Sequence, residues 1–265
     1  MAAALSADAM PIIKKTIKKI QPPAAQTGFS GSASIARYGS MVDHQDGTRF
    51  DSLDTTASFA YTFLEKYKLS SLFYYSYNLK KQDGDWDDLS LSFAHTPMTL
   101  YSRLQVSPAL LGTVPMSKDA TIRQELKGGI GTGLRFSFLP NTFVGGLDFK
   151  FSVSLFRNFF AAETATDGKP NSEYSSVQKG TAIYAYKKAN ASITFIHLNS
   201  LTYQNNIKES FMHFTEIGYD FTKAFSASIG HANIGSALKP NGQDSNILFI
   251  NENTSLLYIS SRLNF

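Results

Sequence analysis

The sequence predicts an all-β chain folded as a closed, antiparallel, up-and-down transmembrane β-barrel of about twelve strands. Three observations carry that expectation. Apolar residues recur at every second position from residue 28 to the end. No apolar run approaches the roughly 20 residues that a membrane-crossing helix needs. The segments between the alternating stretches are short and long by turns, as where one end of a barrel carries tight turns and the other carries loops.

Composition narrows the classes further. The 265 residues include 21 Phe and 13 Tyr, yet only 43% are hydrophobic. A soluble chain so rich in rings would gather them into solid apolar runs around one core. Rings spread thinly suit a wall whose apolar face is covered by lipid. Lipid offers backbone groups no partner, so strands there must close on themselves. Cysteine is absent, which excludes a disulfide framework and thiolate metal sites. The net charge of +4 comes with no basic stripe of interleaved aromatics, so nucleic acid is not an expected partner. No His/Asp/Glu group has metal-ligand spacing and no Gly-rich loop opens a helix, so no metal or cofactor is expected.

The elements follow in order. Residues 1–27 form a separate N-terminal segment, and 28–265 form the barrel. Met1 to Ala9 ends in Ala7-Asp8-Ala9, which is either a signal-peptide remnant or an Ala-rich end. Ile12, Ile13, Ile17 and Ile20 share one helical face, with Lys14, Lys15, Lys18 and Lys19 opposite. That segment is either a short helical or disordered periplasmic tail or a plug at the pore mouth. Strands are expected near 28–42, 55–65, 67–80, 87–96, 99–111, 127–139, 142–160, 177–188, 190–202, 208–221, 224–236 and 253–265. The clearest is 147–155, where Leu147, Phe149, Phe151, Val153 and Leu155 alternate with Asp148, Lys150, Ser152 and Ser154. The least clear is 177–188, because Ile183 breaks the phase of Ala182, Tyr184 and Tyr186. Short turns are expected at Glu65-Lys66, Thr96-Pro97-Met98, Leu139-Pro140-Asn141, Lys188-Ala189-Asn190 and Thr222-Lys223. The longer connections between them carry turn formers such as Asp83-Gly84 and Asp167-Gly168.

The C-terminus adds a specific likeness. Leu257, Ile259, Leu263 and the terminal Phe265 alternate with Tyr258, Ser260, Arg262 and Asn264. This resembles the closing strand of bacterial outer-membrane β-barrel proteins, of the twelve-stranded porin and channel class. The resemblance implies an outer-membrane location among lipid and lipopolysaccharide, periplasmic termini and extracellular long loops. It also implies insertion by the barrel-assembly machinery, which reads the residues of that strand.

Two groups of side chains then bear on function. Arg103, Arg135, Asp148, Lys150, Glu216, Asp220 and Arg262 fall on the polar phase and are expected to line the lumen, because charge is costly in lipid. They suit either a selectivity lining or mutual neutralisation that closes a narrow barrel. His95, His197, His213 and His231 fall on the outward phase. An outward His–Ser pair would suit a lipid hydrolase, but no serine is singled out and no family motif accompanies them. The leading expectation is therefore a non-enzymatic channel passing small polar solutes. The rivals are a non-conducting structural or secretion-associated barrel, within a wider envelope complex or closed by its N-terminal segment, and third a lipid hydrolase.

Overall fold

The computed structural model describes residues 27–41, 49–101, 103–139, 142–238, 244–251 and 254–265. The segment carrying Lys14, Lys15, Lys18 and Lys19 lies outside the described residues. The strands are β1 (Gly28–Ser40), β2 (Asp51–Phe63), β3 (Tyr67–Asn78), β4 (Asp83–Trp86), β5 (Leu89–His95), β6 (Met98–Tyr101) and β7 (Leu104–Val114). They continue as β8 (Leu126–Phe138), β9 (Leu147–Phe160), β10 (Ser172–Tyr186), β11 (Ala189–Thr202), β12 (Ile207–Asp220), β13 (Phe225–Ser236) and β14 (Ser255–Asn264).

Antiparallel pairing runs β1-β2-β3-β5-β7 and on through β8 to β14, and β14 returns to β1. Twelve strands thus close the ring. β4 extends the line of β5 along β3, and β6 extends it along β7. Closure rests on Ser32–Ser40 of β1 against Leu256–Asn264 of β14. The terminal Phe265 exchanges both backbone bonds with Gly31, at 2.7 and 3.0 Å. Its ring occupies the space where a Cβ on Gly31 would stand, which is why that strand position is glycine.

The period of two becomes two faces of one wall. The outward row on β14, Leu257, Ile259, Leu263 and Phe265, is 52–67% exposed, as lipid-facing side chains are in the bare protein. Near the tight-turn end the outward rings form a belt. Tyr61, Phe63, Tyr67 and Phe93 touch in sequence at centroid distances of 5.6–6.2 Å. Phe138, Phe143 and Phe149 continue it across the β8–β9 connection, and Tyr219, Phe221 and Phe225 across the β12–β13 turn. Amphipathic rings collect at this level because one side meets chains and the other meets water.

One expected turn is corrected. Thr96-Pro97-Met98 does not reverse the chain; it interrupts a strand line that resumes as β6, and the reversal comes at Arg103. The strand expected at 99–111 is therefore β7, Leu104–Val114. A proline in a turn and one in an interrupted strand look alike in sequence, and here Pro97 only removes a ladder donor. Residues 80–87, expected as a loop, contain β4. Ile183 keeps the phase of β10 after all: it faces inward beside Asp148, and Tyr184 and Tyr186 face out.

Candidate pore lining

Serine dominates the inner face near the tight-turn end. Ser30, Ser32, Ser58, Ser70, Ser90 and Ser92 line a chamber of about 540 Å³ that also reaches Lys68 and Arg135. Short hydroxyls leave the section wide and wet, because none can reach across a barrel of this strand number.

The charges segregate. Arg135, Lys150 and Lys179 stand on the inward phase of three consecutive strands, β8, β9 and β10. Arg135 and Lys179 both pair in register with Ser152, one on each side, so two cations flank a single serine. Among the described residues neither has an ion-pair partner, while Lys150 lies 3.7 Å from Asp148 on its own strand.

Half the ring away lies a carboxylate–tyrosine cluster on β14, β1, β2 and β3. Asp54, 7% exposed, accepts the Tyr74 hydroxyl and the Ser76 hydroxyl at 2.7 Å. The Tyr38 and Tyr258 rings lie 4.9 Å apart. Tyr258 crosses β13 to donate to Glu216 Oε2 on β12 at 3.0 Å. It does so lying flat over Gly230, where any Cβ would overlap its ring. Phe156 lies over Gly131 in the same way, 2.7 Å from where a Cβ would stand. These glycines keep large inward rings against the wall and out of the lumen.

The expected lining residues separate accordingly. Arg135, Asp148, Lys150, Glu216 and Arg262 occupy inward strand positions. Arg103 does not: it sits in the β6–β7 turn, exposed, donating to Thr142 O at 3.3 Å. Its place follows from the shifted reversal. Asp220 ends β12 at the rim, in a pocket with Lys187, Lys188 and Lys223. Sequence reasoning missed Lys68, Lys179 and Asp54. Lys179 sits on the strand whose phase was hardest to read, and Asp54 stood at the edge of an expected loop.

The outward histidines are outward, but they are partly covered. His197 Nδ1 meets Gln178 Oε1 at 3.1 Å, and its Nε2 lies 3.9 Å from Glu209. His213 is 5% exposed beneath the Phe249 ring, 4.8 Å away, and its Nε2 meets the Thr215 hydroxyl at 3.3 Å. Asn233, fully buried, donates to Leu248 O at 2.5 Å. The apolar segment 247–250 thus lies over a polar part of the outer wall and gives Asn233 a backbone partner that lipid would not.

A closed ring with an apolar outside and a wet interior is the fold of solved outer-membrane channels. An outer membrane channel from Pseudomonas putida F1 superposes with a TM-score of 0.58 at 10% identity, over 93% of this chain and 100% of that one. The NanC porin gives 0.56 at 10% identity, over 87% and 98%. The KdgM porin in complex with disordered oligogalacturonate gives 0.51 at 10% identity, over 88% and 99%. No family model matches the sequence, and no curated protein does. What is shared at this identity is the fold.

Proposed function

We propose that this chain is a bacterial outer-membrane channel that passes small polar solutes passively and favours anions. The observation that carries the preference is the cationic wall of Arg135 and Lys179, neither ion-paired among the described residues, with Lys150 and its partner Asp148 beside it and Asp54 half the ring away. Two cations without carboxylate partners, flanking one serine on the lumen wall, add their fields and attract an anion more strongly than the same charges neutralised in pairs. The serines around them offer hydroxyl contacts that suit hydroxylated solutes. In this reading the termini are periplasmic, the long loops are extracellular, and the outward row ending at Phe265 is what the assembly machinery reads.

A barrel closed by its N-terminal lysines has less support. Of the acids those lysines would need, Asp148 is held by Lys150, Glu216 by Tyr258, and Asp220 stands among three lysines. A lipid hydrolase has no support from the histidines, whose partners are mainly amides, a carboxylate and a covering ring.

The test is reversal potential across planar bilayers in a potassium chloride gradient. The unmodified chain should be anion-selective, and Arg135→Glu with Lys179→Glu should turn it towards cations. Conductance without selectivity in either protein would remove the anion preference. An absence of conductance would remove the channel.

A further inference from the structure

Among the described residues the barrel wall changes register at several strand pairs, and the seam between β5 and β7 is one of them. Between β5 and β7 the register holds from Leu89↔Val114 to Ala94↔Ala109, and below the break it resumes as Met98↔Val106, shifted by one residue. Continuing the upper register would set Pro108 opposite His95. Pro108 has no N–H to give, and His95 O is met instead by the Ser107 hydroxyl at 2.8 Å. The facing strand carries Pro97 in the same gap, while the Thr96 N–H continues the ladder to β3 by donating to Lys66 O at 2.7 Å. Pro108 and, two residues beyond His95 on the facing line, Pro97 each withhold a ladder donor, and the Ser107 hydroxyl covers His95 O in place of the first.

Each side of the seam opens on a different environment. Outside is an apolar groove of about 620 Å³, walled by Tyr67, Phe93, Leu110, Val153 and Leu155. Inside is a chamber of about 320 Å³ with Ser70, Ser92, Ser107, Lys68 and Arg135 on its walls. His95, Ala109, Gly133 and Leu134 line both. The inward residues at the crossing are thus Ala109 and Gly133, the smallest available.

We infer that the β5–β7 seam is a lateral port through which a single-chain amphiphile with a small anionic head passes between lumen and bilayer. The head lies inside against Lys68 and Arg135, and the chain threads into the outer groove. Both halves of such a molecule are matched: the charge by cations without carboxylate partners among the described residues, the chain by rings and aliphatic side chains. The inference rests on the channel reading above and deepens it by adding a second exit from the same lumen.

The chain has no cysteine, so one introduced thiol reports alone. Pro108→Cys places it outward at the seam, four residues into β7 from Leu104; Ile229→Cys places it outward at the matching position of β13, four residues from Phe225. Both proteins, folded in phosphatidylcholine vesicles, are treated with a charged, membrane-impermeant methanethiosulfonate. Water at the seam should make the thiol of Pro108→Cys react about tenfold or more faster than that of Ile229→Cys, since only a hydrated thiol ionises. Dodecyl phosphate should slow the seam thiol and glucose phosphate should not, and the β13 thiol should be unaffected by either. Leu110→Cys, in the same groove, is labelled in parallel because it keeps Pro108, whose missing N–H a cysteine at 108 would restore; its thiol should also outpace that of Ile229→Cys. Equal rates at the two sites would overturn the port. Fast labelling without protection by dodecyl phosphate would overturn the amphiphile. Reversal potentials of the unmodified chain test the channel reading separately.

Discussion

Gly230 shows how much a single residue decides. Tyr258 reaches Glu216 only because β13 presents no Cβ between them. Gly230→Val should therefore swing the Tyr258 ring into the lumen and leave Glu216 without that donor. Overpacking of this kind costs about 1–3 kcal/mol. The expected outcome is a folded barrel with smaller unit conductance, and Tyr258→Ala added to it should restore the conductance. Single-channel recording of both proteins checks this, and an unchanged conductance in Gly230→Val would show that the ring does not border the conducting path. The alternation around Gly230 was legible in the sequence, but the ring lying over it was not. Which neighbouring strand brings a tyrosine to a glycine depends on register, and register spans residues far apart in the chain.

Among the elements, the β7–β8 connection is clamped to a second loop. Its one helical turn, Asp119–Arg123, is held by the Arg123 guanidinium, which donates to Asp119 and, at 3.1 Å, to Asp167 of the β9–β10 loop. The hydrogen bond from Arg123 holds the Asp119 carboxyl below the usual carboxylate range. A carboxyl with a lowered value in the folded state contributes stability above its unfolded value of about 3.9 and loses it as pH falls through the lowered one. A spin label on Ile122→Cys, at an exposed position, should keep one line shape from pH 7 to pH 5 and gain mobility below about pH 4. Asp119→Asn should be mobile throughout. A line shape that changes already near pH 6 would point to some other group. The clamp joins two loops that the sequence shows only as separate long connections, so its carboxylate–guanidinium pairing was invisible there.

For the whole molecule the governing fact is that lipid covers one face and water the other. Leu155 lies six residues beyond Phe149 of the aromatic belt on β9. At about 2.5 Å of height per tilted residue, that is about 15 Å into an apolar band about 25 Å tall. Leu155→Arg should cost about 2–4 kcal/mol near the midplane. Ser154→Arg, one residue away but inward beside Gly133, should cost clearly less. Refolding titrations into lipid vesicles measure both, and equal costs would contradict the assignment of faces.

The sequence by itself determined the strand period, the two faces, the closed antiparallel topology and most strand positions. A residue's side of a strand depends only on whether its number is odd or even within that strand, and that information is local. It also marked Arg135, Lys150 and Glu216 as inward before any fold was in view. Only the tertiary structure decided that the line of β5 continues past Pro97, so that Arg103 sits in a turn and a seam opens beside Pro108. Only it set Arg135 and Lys179 about one serine and Tyr258 over Gly230. Those relations depend on how far each strand slides against its neighbour before hydrogen bonding locks it, and that offset is fixed when the whole ring closes.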